Sequence, residues 1–523
     1  MKRRKFLKNT VLGGTILPAL IYNLDSCRNR HTVRAADALH PYEDMNKGYR
    51  YKAAFGCWIN DMRNSALPTE QWPSVILDKE TEDGIFACMD IAKSAGYDSL
   101  NVFGLLTGYS WKVDISDTVS PERRAKVERI IKGVRERGLK LIYGLGVYSW
   151  GFDEIIANNP GVQGTNPHAL CFSSPESFEW MKKVLDYVLT FDFDGYHLEA
   201  SDLGRCNCEK CSAIGDVVYY SKINTICADY IREQKSDAVL MVNMCGYLPW
   251  GDYVNCEEYF QALVSLSNSI DYLIDPGHRG LYLRGNYRLR SFKELKCAVG
   301  TSSCTWVYMP QRWDKLRWFL PTVLRSGRFL QEDYRRGARA AEIFMGATVN
   351  PSVEMTIVCL GKILQNSERD ITSIMLEAVN ELYVPVNRKT GRKLVEIFIQ
   401  AETAYFNNVN QLYLQKDCLG EIFLEWVRGT VPGNPVYLYE RKDLRKLVRS
   451  DGMSEKLMVS EGRTAYRNVL KGILGQLNTI ENKVGRPEKI RSIRTCIENT
   501  LDDIAFVENQ IENLTGSDTT DFK

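Results

Sequence analysis

Beyond its first thirty or so residues the chain has no apolar run near the ~20 residues that a membrane-spanning helix needs, which excludes a later hydrophobic span. Charge of one sign is also missing: 67 Lys and Arg stand against 65 Asp and Glu, a net of +2. No long basic run follows the N-terminus, so nucleic-acid binding has no electrostatic footprint. No Gly-rich loop follows the first strand, which argues against an open dinucleotide-binding sheet. Internal repeats and low-complexity segments are absent as well. Cysteine is not scarce, at 15, but the number is odd and the residues are spread along the chain. Cys88, Cys227, Cys245, Cys304 and Cys359 sit inside apolar segments and read as small core residues rather than a disulfide framework. Few structural disulfides are therefore expected.

What is present is an ordinary globular composition, 44% hydrophobic and 25% charged. The first residues, Lys2-Arg-Arg-Lys-Phe-Leu-Lys8, precede a short apolar run at 11–22. A charged n-region before a short h-region is the layout of an export signal over residues 1–30. Arg3-Arg4 before Phe6-Leu7-Lys8 resembles the twin-arginine signal, whose machinery carries folded proteins. Leu24-Asp-Ser-Cys27 is a degenerate lipoprotein box, which makes Cys27 a candidate lipid anchor to a membrane. A periplasmic or cell-surface location is expected. Removing the signal leaves roughly 490 residues, too many for one ordinary core.

Strand-like segments at 51–58, 99–107, 139–150, 194–200, 238–247, 270–275, 298–308 and 340–347 alternate with amphipathic ones such as 81–95, 121–137 and 177–189. Ser174 suits the cap of the last of these and Pro175 its first turn. Eight strands alternating with helices predict an α/β fold, a (β/α)8 TIM barrel over residues 50–349. From 350 to 514 the pattern turns helical, a mostly α-helical C-terminal domain, and 515–523 is a polar tail.

The fourth strand segment, Asp194-Gly-Tyr-His-Leu-Glu-Ala-Ser-Asp202, carries the most chemistry. Side chains alternate across a strand, so Gly195, His197 and Glu199 share one face and Tyr196 and Leu198 the other. Barrel active sites form where strands end and loops begin. Those positions hold Trp58, Asn60, Asp61 and Arg63 after strand one, and Tyr148 and Trp150 after strand three. Asn243, Tyr247 and Trp250 follow strand five, and Asp275, His278 and Arg279 follow strand six. Trp306, Tyr308, Gln311, Arg312 and Trp313 follow strand seven. Aromatic rings beside carboxylates and amides suit a carbohydrate, whose C–H faces stack on rings while its hydroxyls need donors and acceptors. Glycoside cleavage needs a protonated carboxyl for the leaving oxygen and a second carboxylate, or a substrate N-acetyl group, at the anomeric carbon. Glu199 is the expected general acid and Asp202 or Asp275 the second carboxylate, with His197 and His278 tuning pKa or holding a hydroxyl. Glu342 lies well before its strand's end, so a buried ion pair is expected for it. No cofactor is required by this chemistry.

Cys206-Asn-Cys-Glu-Lys-Cys211 offers three thiolates in one loop. A structural zinc site takes four ligands, the fourth coming from Cys171, His168 or elsewhere; the alternative is a disulfide or a thiol-lined loop.

Ser173-Ser-Pro-Glu176 before a helix, then a strand, then Asp202-x-Gly-x-Cys-x-Cys-x-x-Cys211, resembles barrel glycoside hydrolases related to family 163. The resemblance covers about forty residues and implies an endo-β-N-acetylglucosaminidase-like enzyme acting on host glycans. Hexosaminidase-like and α-glucuronidase-like barrels are similar in layout. Asp202 falls on the acidic residue that precedes the cysteines in that pattern, whereas Glu199 rests on strand geometry alone. Two other functions remain open at this point: a non-catalytic carbohydrate-binding barrel, and a metal-dependent hydrolase built on the cysteine loop.

Overall fold

The computed structural model describes residues 47–62, 76–107, 110–199, 204–244, 257–274, 295–302, 318–335, 337–345, 348–405, 407–408 and 452–516, without the side chains of 57, 58, 60, 61, 259, 452–461, 503 and 506–516. Residues Glu43–Lys523 form one compact unit. The export signal, Cys27, Cys245 and Cys304 lie outside the described residues.

Eight parallel strands close into a barrel in chain order: β1 (Tyr51–Trp58), β2 (Ser99–Phe103), β3 (Lys140–Gly146), β4 (Gly195–Glu199), β5 (Val239–Asn243), β6 (Tyr272–Ile274), β7 (Ala298–Thr301) and β8 (Ala340–Phe344). β8 pairs with β1 through Ala53↔Glu342 and Phe55↔Phe344, which completes the ring. This is the (β/α)8 barrel that the alternating pattern predicts. Helices follow the strands: α1 (Lys79–Ala95), α2 (Pro121–Glu136), α3 (Pro175–Leu189), α4 (Asp216–Gln234), α5 (Glu257–Leu266), α6 (Val323–Arg335) and α7 (Pro351–Gln365). Among the described residues no helix is long and apolar enough to cross a membrane.

Local chemistry sets the helix ends. Asp78 accepts the Thr81 backbone N–H at 2.8 Å to start α1, and Gly96, at φ 86°, ends it in a left-handed turn that only glycine adopts without strain. Ile85, Cys88, Met89, Ala92 and Ala95 recur at helical spacing on its buried face. α3 starts at Pro175, two residues before the apolar pattern suggests. Ser174 holds the cap position without capping; its hydroxyl donates to the Gly161 carbonyl at 2.6 Å and ties the preceding loop to the helix. β3 stops at Gly146, short of the expected 150, because Tyr148 and Trp150 turn to positive φ (61° and 55°). The chain folds back so tightly that a Cβ on Gly146 would meet the Ser149 carbonyl oxygen at 2.3 Å.

α7 begins at the expected boundary near residue 350. It packs on α1 as the barrel's closing helix: Tyr97 donates to the Ile357 carbonyl at 2.9 Å, and Gln365 to that of Ala95 at 2.7 Å. The helices that follow, α8 (Ile371–Tyr383), α9 (Arg388–Tyr405), α10 (Gly452–Asn478) and α11 (Pro487–Gly516), form the helical C-terminal region. Trp318 and Phe319, just before α6, insert among Tyr405, Tyr466 and Phe398 of that region.

Buried Glu402 of α9 accepts the backbone N–H groups of Leu324 and Arg325 at 2.9 and 2.7 Å, capping α6 from another helix. Burial pushes its pKa up from 4.5 to about 7, against the two backbone donors that lower it. The folded state therefore holds a proton that the unfolded chain releases between these pH values, so stability falls as pH rises from 4.5 to 7. Urea unfolding of wild type and Glu402→Gln is expected to show the wild-type advantage shrinking by about 3 kcal/mol across that window. An advantage that is flat with pH would place the folded pKa near its ordinary value.

Candidate active site and cysteine cluster

Among the apolar side chains of the barrel interior, such as Ala53, Met241, Ile274 and Ala340, lies a buried polar group where branched aliphatic residues are usual. His197 of β4 points inward, edge-on to Phe103 at 5.1 Å and tilted against Phe55 at 5.7 Å. Tyr196 and Leu198 face the helices, Tyr196 meeting Phe193 edge-on at 6.4 Å. Glu342 of β8 is wholly buried below His197, its Oε1 3.3 Å from Nδ1. That contact is close without hydrogen-bond alignment, since neither ring nitrogen finds an aligned partner. Asn101 of β2 donates to the same Glu342 oxygen and accepts the Tyr51 hydroxyl at 2.8 Å. Burial pushes the His197 imidazole down to about 3, so the ring is neutral at pH 7.

Glu199 ends β4 one layer above. Its side chain is 22% exposed, and its Oε2 lies 3.8 Å from His197 Nε2. The ladder sets Glu199 beside Gly146 of β3 and Asn243 of β5. A partly exposed carboxyl thus stands at the C-terminal end of a strand, above a buried imidazole and a second, deeper carboxyl. A neutral His197 offers Glu199 a polar neighbour rather than a permanent counter-charge.

Of the residues expected to contact sugar, His197 is fully enclosed and Tyr148 is buried edge-on against Phe172 at 5.8 Å. Alternation along β4 and the turn after β3 point these two side chains into the core, where His197 keeps the pKa-tuning place expected of it rather than an exposed one. Burial also raises the Tyr148 phenol. Asn243 is buried at the rim, and Trp150 is partly buried against the core. Trp58 pairs with Phe103 in the sheet. Its side chain and that of Asp61 lie outside the described residues, as do Arg63, Asp202, Tyr247, Trp250, Asp275, His278, Arg279, Trp306, Tyr308, Gln311, Arg312 and Trp313. Sequence reasoning anticipates the buried pairing of Glu342 but misses Asn101 and Tyr51, whose only signal is a polar residue at an inward position of a strand. It also misses Asp153, whose Oδ2 lies 2.9 Å from His168 Nδ1. His168 is not among the residues whose ligand atoms cluster with the cysteines.

None of the cysteines whose side chains the structure describes forms a disulfide. Cys88, Cys227 and Cys359 are core residues, as expected. Cys206, Cys208 and Cys211, in the loop after β4, are joined by Cys171 from the loop before α3, and the four sulfurs lie within 4.8 Å of one another. The Ser173 hydroxyl sits 3.0 Å from Cys211 Sγ and 3.4 Å from Cys208 Sγ, and the Cys208 backbone N–H donates to Cys206 Sγ at 3.4 Å. Ser173 holds the Cys208 thiol down at about 6, while burial pushes that of Cys211 up to about 12.

The strand order and its closure define a (β/α)8 barrel. No protein-family model and no curated protein matches the sequence. Among solved structures, the chain is similar to a family 138 glycoside hydrolase targeting pectin rhamnogalacturonan II. The TM-score is 0.54 at 9% identity, over 90% of this chain and 72% of that one. It also aligns with an O-GlcNAc hydrolase from Thermobaculum terrenum at a TM-score of 0.41 and 11% identity, over 89% of this chain and 97% of that one. At these identities the likeness concerns the fold alone.

Proposed function

We propose that the chain is a glycoside hydrolase that cleaves an O-glycosidic bond in a complex, N-acetylhexosamine-containing glycan by carboxylic acid catalysis. The observation that carries this reading is Glu199: a partly exposed carboxyl at the end of β4, at the catalytic face of a barrel, held above the buried His197–Glu342 pair. Glu199 would protonate the leaving oxygen, and Asp202, Asp275 or the substrate's own N-acetyl oxygen would meet the anomeric carbon. The N-acetylhexosamine preference rests on the resemblance of residues 173–211 to family 163. By the same reading, residues 1–30 export the protein to the periplasm or cell surface, with Cys27 a candidate lipid anchor only. A hydrolytic metal at the cysteines is disfavoured, because four thiolates around one ion leave no open position for water.

Product release from a panel of host and plant glycans tests the proposal. Cleavage at N-acetylhexosamine linkages is the expected result. Tight glycan binding with no product from any member would favour a non-catalytic binding barrel instead.

A further inference from the structure

We propose that Cys171, Cys206, Cys208 and Cys211 hold a single structural zinc ion that clamps two loops together at the catalytic face of the barrel. Four thiolates around one tetrahedral zinc, each at about 2.3 Å, stand about 3.8 Å apart along the tetrahedron's edges. Cys171 Sγ lies 3.8 Å from Cys208 Sγ and 4.0 Å from Cys211 Sγ. A multi-iron cluster needs room between its sulfurs that four atoms within 4.8 Å do not provide. Two sulfurs of a disulfide would stand only about 2 Å apart.

The surroundings fit a dianionic tetrathiolate. The Ser173 hydroxyl and the Cys208 N–H are donors to sulfur, and Thr165 Oγ1 lies 3.8 Å from Cys206 Sγ. Arg205 donates to the Cys211 and Ile214 carbonyls at 2.9 Å each and pairs with Asp216 at 2.8 Å, which ties the cysteine loop to the start of α4. Gly164 has room for nothing larger: a Cβ there would stand 2.3 Å from Cys206 Sγ. One ligand comes from the loop before α3 and three from the loop after β4, so the ion would add to the hydrogen bonds that already join these loops, the Asn207 N–H to Thr165 Oγ1 at 2.7 Å among them. Only six residues separate Glu199 from Cys206. A clamp at Cys206 therefore restrains the chain that leaves the candidate acid.

Metal analysis of the full chain, purified from zinc-supplemented cells without chelator, is the test. One zinc per chain is expected, with replacement by cobalt(II) giving the visible bands of a tetrahedral tetrathiolate. Cys171→Ser should remove the zinc, Ser173→Ala should weaken its retention against a competing chelator by about tenfold or more, and Cys227→Ser, a buried thiol outside the cluster, should keep it. Stoichiometric iron, a metal-free chain, two disulfides in the intact mass, or equal zinc loss in Cys227→Ser would each overturn the proposal. None of these readouts depends on glycan cleavage.

Discussion

Glu199→Gln is expected to lower kcat/KM for glycan cleavage by a factor of about a hundred or more, with glycan affinity nearly unchanged. The amide has the shape of the acid, so the rim of the barrel keeps its form. It cannot deliver a proton to a leaving alkoxide, and that transfer is the step asked of this position. The loss should appear in kcat rather than KM, and it should be smallest for substrates whose leaving group needs no proton, such as nitrophenyl glycosides. Equal rates in parent and variant would remove Glu199 from the mechanism and direct the search to Asp202 and Asp275.

Glu342→Ala is expected to destabilise the protein by about 2–4 kcal/mol in urea unfolding, the cost of leaving a buried donor unsatisfied and a cavity in the barrel. The truncation leaves Asn101 without its acceptor and His197 facing a void, inside a barrel that water does not readily enter. Glu342→Gln keeps an oxygen for Asn101 and should lose less than half as much. At saturating substrate, the Gln variant should also show a lower kcat with little change in KM, because Glu342 and Glu199 both lie against the enclosed His197 ring, at 3.3 and 3.8 Å. An Ala variant within about 1 kcal/mol of wild type would mean that the pair contributes nothing beyond filling space.

The bounds of β1, the inward set Gly195, His197 and Glu199, the start of α3 near Pro175 and the burial of Glu342 are all legible in the amino-acid sequence. Each depends on chemistry within one segment: alternation along a strand, the fixed φ of proline, or the cost of a charge placed far from a strand's end. The end of β3 is not legible in the same way. Its apolar residues continue past Gly146 to Trp150, and no residue type there announces that Tyr148 and Trp150 adopt left-handed φ. The assignment of α7 to the barrel is hidden for a related reason. Its pattern is helical in either setting, and only its packing on α1 separates it from the C-terminal region.

By itself the sequence determined the period of every element, and with it the barrel and the strand end that carries Glu199. Tertiary structure decided which inward residues meet. Closing β8 onto β1 brings Glu342 beneath His197, 145 positions away, and the loop before α3 carries Cys171 to three cysteines from the far side of β4. The reason is physical: side-chain period fixes the face a residue occupies, while the partner on that face depends on how the ring closes.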